Sequence, residues 1–304
     1  MRYIIDRSQP LSAGGTGRLY RCQDAIGIRG VCKVMPKSLA NQRKFEKEIM
    51  CLRRLSFSPK VVQLYDAVET DDEFALVLEW CRGGAVRDYT NAYGDIYSVN
   101  TVASILRGVL RGLVHVHGAG IVHLDIKPGN VLFTDTSETA EVKLADFGSA
   151  VLWKEEEMNT ISGTPWYMSP ELLRSVITPK SDIWSVGVMA YQLLTGQMPF
   201  DDVGEATPRV AYIWKKIILS EPTWTGPRWE GIPSEAREFV RACLTKEADA
   251  RPSAVDCLSH TWLSQTVCED RFTGTPLVMP ADHLDDTSFM HAHTWLPDYL
   301  SGGI

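Results

Sequence analysis

At 304 residues the chain has room for about two lobes or domains, allowing ~150 residues for each. Hydrophobic residues at 44% and charged residues at 23% are ordinary globular usage, which excludes wholesale disorder and collagen-like repeats. Lys and Arg number 31 against 38 Asp and Glu, a formal net charge of −7, which argues against a dedicated nucleic-acid binder with its basic face. The balance is uneven, with 13 basic and 10 acidic residues up to position 80 and 18 and 28 beyond it. Seven scattered cysteines (22, 32, 51, 81, 243, 257, 268) without C-x-x-C spacing predict reduced thiols rather than a disulfide framework or a zinc site. MRYIIDRSQP lacks the apolar core of a signal peptide, no 18-residue apolar run offers a membrane span, and the ends show no lipidation motif. The expectation is a soluble intracellular protein, cytoplasmic by default, with neither nucleic acid nor membrane as partner.

In chain order, RLYRC (18–22), RGVCKVM (29–35), KVVQLYDAV (60–68) and EFALVLEW (73–80) read as strands by their β-branched and aromatic content. The charged segment NQRKFEKEIMCLRRL (41–55) interrupts them, with Phe45, Ile49, Leu52 and Leu55 at helical spacing. CRGGAVRDY (81–89) reads as a connector. Beyond it Val102, Ile105, Leu106, Val109, Leu110, Leu113 and Val116 trace one apolar face of a helix over 101–117. Further helices are expected over 182–196, 209–219 and 233–244. A strand-rich small lobe of about 1–80 and a helix-rich large lobe of about 85–264 make an α+β arrangement, whose interlobe cleft is a favoured ligand site.

Four segments carry chemistry. In LSAGGTGRLY (11–20), Ser12, Gly14 and Gly17 stand in G-x-G-x-x-G spacing, where a missing Cβ lets backbone approach phosphates. Alone, that segment equally describes a glycine-rich hairpin. Sixteen residues past Gly17, Lys33 stands in VCKVM among Val31 and Val34, where an ammonium is costly unless paired. IVHLDIKPGNVLF (121–133) supplies His123, Asp125, Lys127 and Asn130, and KLADFGSA (143–150) supplies Asp146, Phe147 and Gly148.

In this order the segments resemble the eukaryotic protein kinase family, serine/threonine type, from about Leu11 to Leu263. RPSAVDCLSHTWL brings the texture closest to the calcium/calmodulin-dependent kinase group. The resemblance implies the two-lobed kinase fold over 1–264 and transfer of the γ-phosphate of Mg-ATP to protein Ser or Thr hydroxyls. Leu11, Ser12, Gly14 and Gly17 would cover the nucleotide; Leu19, Val31 and Leu132 would sandwich adenine; the Glu79 carbonyl and Cys81 amide would hold its edge, behind which Leu78 is gatekeeper. Lys33, paired with Glu48, would hold the α and β phosphates, and Asn130 and Asp146 would ligate Mg²⁺. Asp125 would accept the substrate hydroxyl proton, a role that contributes typically ~10²–10⁴-fold, and Lys127 would neutralise the γ-phosphate. Leu52, Leu64, His123 and Phe147 would form a hydrophobic spine; Thr164 would bond Asp125 and Lys127; Asp182 would brace the catalytic loop; Glu171 and Arg251 would form a buried ion pair.

The sequence departs from the family at five positions. Ser12 replaces the first glycine and Ser169 the alanine of A-P-E. Leu124 replaces the arginine that grips an activation-loop phosphate, so phosphate on Thr160 or Ser162 has no arginine there to receive it. Ala85 and Gly129 replace the glutamates that select arginine upstream of the acceptor. Residues 265–304 hold six acidic residues, one basic residue (Arg271) and the apolar Phe289, Trp295, Leu296, Tyr299 and Leu300. This acidic tail is the opposite of a basic calmodulin-binding helix, and no EF-hand loop is present, so direct calcium or calmodulin binding is not expected. The rival readings are a pseudokinase scaffold that binds partners without turnover and a small-molecule phosphotransferase. Against the first, Lys33, Glu48, Asp125, Asn130 and Asp146 are all present; against the second stands GTPWYMSPE.

Overall fold

The computed structural model describes residues 3–14, 17–93, 97–137, 139–153, 163–200 and 210–265. The activation-loop residues 155–157, Thr160 and Ser162, the seventh cysteine and the acidic tail lie outside these. Contacts divide the chain into two units, whose described parts are 3–49 with 63–80, and 50–62 with 81–265.

The first unit is an antiparallel sheet of β1 (Tyr3–Asp6), β2 (Ser12–Gly14), β3 (Gly17–Asp24), β4 (Arg29–Pro36), β5 (Leu64–Glu69) and β6 (Glu73–Glu79), in the order β1-β3-β4-β6-β5, with β2 paired to β3. Side chains alternate across the pleat. One face buries Tyr3, Tyr20, Cys22, Cys32, Val34, Ala75 and Val77. The other packs Met35, Phe74 and Leu76 against Phe45 of helix α1 (Leu39–Arg54), with the Phe45 and Phe74 rings stacked at 4.8 Å. The strand expected from Lys60 begins instead at Leu64, because Val61 bridges Leu144 and the Val62 amide donates to the Leu144 carbonyl. The short β1 and β2 were not legible from periodicity.

The second unit is mainly helical. Helix α2 (Val86–Tyr93) forms where a connector was expected: Asp88 turns back to accept from the Ala85 amide at 2.8 Å, and Tyr89 donates to the Gly83 carbonyl at 2.5 Å. Helix α3 (Val99–Gly118) buries the apolar face read from sequence, capped by Ser98. Two short pairings follow, from β7 (Ile121–Val122), β8 (Val131–Phe133), β9 (Val142–Leu144) and β10 (Val151–Leu152): β8 with β9, β7 with β10. Helix α4 (Pro179–Thr195) is apolar almost all round and almost wholly buried, as such helices are. Helices α5 (Val210–Leu219), α6 (Pro227–Glu230), α7 (Ser234–Cys243), α8 (Ala254–Ser259) and α9 (Thr261–Gln265) complete the described residues. None of the described helices is long and apolar enough to cross a membrane. The six described cysteines are buried thiols outside any disulfide.

Candidate active site

Within the first unit, pleat alternation puts Lys33 on the α1 face of β4. There its Nζ lies 2.7 Å from Glu48 Oε2, with both residues buried. The ion pair thus joins strand to helix, and an ammonium among valines has its counter-charge. Ser12 pairs with Leu19, Leu19 with Lys33, and Val31 with Leu78, while the Leu11 amide donates to the Leu19 carbonyl at 2.7 Å. Gly14 and Gly17 pair at the tip of this hairpin. Gly17 has φ +141°, and a Cβ there would lie 2.4 Å from the Val34 carbonyl oxygen, so only glycine fits. Glu79 ends β6 and donates its amide to the Gln63 carbonyl at 2.8 Å.

Within the second unit, the β8–β9 hairpin aligns Val131 with Leu144, which sets the residues just outside it, Asn130 and Ala145–Asp146, side by side. The Ala145 amide donates to the Asn130 carbonyl at 3.0 Å. Asn130 in turn commits its amide nitrogen to the Asp125 carbonyl and Oδ2, at 2.9 and 2.8 Å, which leaves its side-chain oxygen as the atom for a cation. Asp146 has a left-handed backbone (φ 59°), a conformation short polar residues tolerate. Leu132 bridges Ala85, and Cys81 is buried.

Asp125 is the hub. Its Oδ2 accepts from Lys127 Nζ and Asn130, both at 2.8 Å, and its Oδ1 from the Thr164 amide and hydroxyl at 3.0 and 2.6 Å. Lys127 Nζ also donates to Thr164 Oγ1 at 2.7 Å. The His123 ring is fixed between the Ala145 carbonyl on Nε2 and the Asp125 amide on Nδ1, which requires a neutral ring protonated at Nε2. It lies 4.6 Å from the buried Phe147 ring, so this pair of the expected spine is in contact. Leu52 is buried in the same unit, and Leu64 belongs to the other.

Asp182, fully buried, accepts from the His123 and Leu124 amides at 2.9 and 2.8 Å and bonds His117 Nε2 at 2.8 Å. Burial opposes its ionisation, but the hydrogen bond and charge of His117, with the His123 amide, hold its carboxyl below the ordinary range. Glu171 meets Arg251 through two bonds of 2.8 and 3.1 Å. Burial again raises its pKa and the guanidinium outweighs it, leaving the carboxyl low.

Sequence reasoning passed over what Leu124 does instead of arginine. Its φ is +64°, its amide donates to Asp182 Oδ1 at 2.8 Å, and its carbonyl lies so near Gly163 that a Cβ there would come within 2.4 Å of it. Its side chain joins a buried cluster with Val122, Val151, Met168 and Leu172, flanked by Trp153 and Trp214.

A strand-built unit with a buried Lys–Glu pair, and a helical unit with Asp125, Asn130 and Asp146 on adjoining loops, define a phosphotransferase of the protein kinase class. The protein kinase domain model matches residues 5–263, and the chain belongs to that family. Similar proteins from Arabidopsis thaliana include CDPK-related kinase 5, 33% identical over 248 residues that cover 80% of this chain and 40% of the relative. Calcium-dependent protein kinase 34 is 33% identical over 261 residues (84% and 49%), and CDPK-related kinase 3 is 35% identical over 239 (78% and 39%). The chain spans about two fifths to one half of the length of these relatives.

Proposed function

We propose that the chain is an active serine/threonine protein kinase that transfers the γ-phosphate of Mg-ATP to Ser or Thr hydroxyls of a protein. The observation that carries this reading is the hydrogen-bonded set on Asp125. A carboxylate held by Lys127, Asn130 and Thr164 has a fixed direction, which is what in-line positioning of an acceptor hydroxyl requires. Lys127, already on Asp125 Oδ2, supplies positive charge where the phosphoryl group would pass. Lys33, held by Glu48, would bind the α and β phosphates, under a hairpin whose Gly17 leaves no side chain in the way. Leu11, Ser12, Gly14, Leu19, Val31, Glu79, Cys81 and Leu132 take the nucleotide-binding roles that the family resemblance implies.

The donor set suits Mg²⁺. Among the described residues no three His, Cys, Asp or Glu side chains gather into a metal site. One carboxylate, Asp146, and one amide oxygen, Asn130, are hard ligands of the kind that hold Mg²⁺ together with substrate phosphates rather than alone. Bound there, Mg²⁺ would neutralise charge on the phosphates.

We further propose a kinase domain over 1–264 with an acidic tail at 265–304, an intracellular, cytoplasmic location, and a protein substrate as partner. Nucleic acid, membrane, calcium and calmodulin are not among the direct partners we propose. The test is ATP-dependent phosphorylation of a generic protein substrate, read by mass spectrometry. Asp125→Asn and Asp146→Asn should each lower transfer by orders of magnitude, with the Asp125 loss in the ~10²–10⁴-fold range of positioned bases. Both should melt within a few degrees of the parent. Parent-like transfer by either variant would overturn these roles.

A further inference from the structure

A cleft of about 80 Å³ opens in the second unit where helix α3 passes strand β9. That is several times the space one water needs. Its lining is cationic: among the described residues Lys60, Arg107 and Arg111 face it against a single carboxylate, Glu141. Ser104, Arg107 and Arg111 stand at i, i+3 and i+7, so they share one face of α3. Two glycines let the helix approach the strand. A Cβ on Gly108 would lie 2.3 Å from Val142 Cγ2, and one on Gly112 would lie 2.8 Å from Leu144 Cδ1 and 3.3 Å from the Lys60 carbonyl oxygen. This close approach sets Lys60 and Glu141 across the cleft from the two arginines.

The three cations are held differently. Lys60 is buried, and its Nζ meets Glu141 Oε1 at 2.7 Å. Its backbone is fixed as well, with the amide on Ser58 Oγ at 3.3 Å and the carbonyl accepting from the Leu144 amide at 2.8 Å. An ammonium carries three protons, and Glu141 Oε1 takes one. Arg107 is anchored to the Leu263 carbonyl through Nε, at 3.1 Å, and a terminal nitrogen; it contributes fixed charge, and no free donor is asked of it. Arg111 is exposed, and among the described residues none forms a hydrogen bond or ion pair with it. Three cations less one carboxylate leave two positive charges in excess. Like charges this close repel until an anion of matching charge enters.

We infer that this cleft is a binding site for a phosphate monoester dianion. Arg111 supplies a planar fork to two phosphate oxygens, the remaining Lys60 protons and the Ser104 hydroxyl supply single donors, and Arg107 adds charge. The small volume takes the phosphoryl group and leaves whatever carries it outside. A phosphate there would tie α3 to the segment at Lys60, whose neighbours Val61 and Val62 pair with Leu144, two residues before Asp146. The site lies within the second unit alone and its test reads binding, so it stands or falls separately from the kinase reading.

The probes are inorganic phosphate, O-phosphoserine and an alanine pentapeptide with phosphoserine at its centre. Each is titrated by calorimetry into the full chain, without nucleotide or magnesium, at constant ionic strength in chloride. Saturable binding is expected, and Arg111→Ala should weaken it about fivefold. Arg111→Glu should abolish it, and Arg111→Lys should retain part, since a lysine keeps the charge and loses the fork. Glu141→Gln removes the one carboxylate and should tighten binding about two- to fivefold, a gain that misfolding cannot produce. Lys127→Ala, which removes a cation of the candidate active site, should leave this binding in place. Equal affinity for all three probes identifies the phosphoryl group alone as the occupant, and tighter binding of the pentapeptide identifies a phosphorylated side chain; both sustain the site. The inference is overturned by an absence of saturable binding, by equal binding of the unphosphorylated pentapeptide, or by binding that Lys127→Ala removes and Arg111→Glu leaves unchanged.

Discussion

At the scale of single residues, charge is stabilised here by saturation with donors. Glu171 and Arg251 show this outside the chemistry. Arg251 donates to both Glu171 oxygens and to the carbonyls of Lys180, Thr245 and Lys246, and Ser181 completes the carboxylate. Such a pair costs much to desolvate, and removing one member leaves the other charged and unpaired, typically a loss of ~3–5 kcal/mol. Arg251→Met should therefore lower the unfolding free energy, read from urea melts, by an amount in that range, and Glu171→Gln by less, because the amide still accepts one of the bonds. Equal, negligible shifts in both variants would show that the pair contributes nothing. The partners were legible in DARPS and GTPWYMSPE through the family pattern, whereas the three carbonyls on Arg251 were not, since backbone acceptors leave no mark in a sequence.

At the scale of elements, packing without charge ties the segment before and after the activation loop to the catalytic loop. Leu124 sits one residue before Asp125, and its cluster gathers Val151 from β10 with Met168 and Leu172 from the far side of the loop. Thr164, whose amide and hydroxyl hold Asp125, lies between these anchors in sequence. An apolar tie is present whether or not hydroxyls in 154–162 carry phosphate. Phosphatase-treated chain should keep its initial rate, and Thr160→Ala with Ser162→Ala should be nearly silent; an inactive dephosphorylated chain rescued by phosphate on either residue would refute this. Leu124→Asn keeps a residue that accepts positive φ but removes the apolar anchor, so it should cost kcat more than the KM for ATP. Periodicity found α3 because a long helix repeats its apolar face. It missed α2, whose start is set by Asp88 on the Ala85 amide, and it ran β5 too early because Val61 and Val62 look like strand yet bond Leu144. Gly187 makes the same point within α4: a Cβ there would meet Cys243 Cβ at 2.8 Å and Leu244 at 3.0 Å. Gly187→Ala should destabilise by ~1–3 kcal/mol through overpacking, despite the better helix propensity of alanine.

At the scale of the whole molecule, the titrating groups shape stability against pH. Asp182 and Glu171 have carboxyls held below their ordinary range, so the unfolded chain takes up protons before the folded one does. Their stabilisation is complete above the unfolded values of ~4 and is lost as pH falls through the folded ones. On the alkaline side burial pushes the thiols of Cys22 and Cys243 up, and that of Cys32 up to about 12. Unfolded thiols ionise near 8.5, so the contribution of these three is present below that pH and is lost as pH rises toward the folded values. Lys246 works in the opposite sense. Burial lowers it to about 8 against a weaker lift from Glu221, while its Nζ is held by the Ile217 carbonyl near the Phe200 and Trp184 rings. The folded chain releases this proton first, so Lys246 adds stability between about 8 and the unfolded value of ~10.4. Three thiols outnumber one amine, and the net slope turns negative above ~9. Urea midpoints from pH 3.5 to 10.5 should thus fall on both flanks of a plateau. Lys246→Met should steepen the alkaline fall, and Cys32→Ala should make it shallower. Stability that climbs steadily through pH 10, or an alkaline limb unchanged in both variants, would show that these buried groups do not govern it.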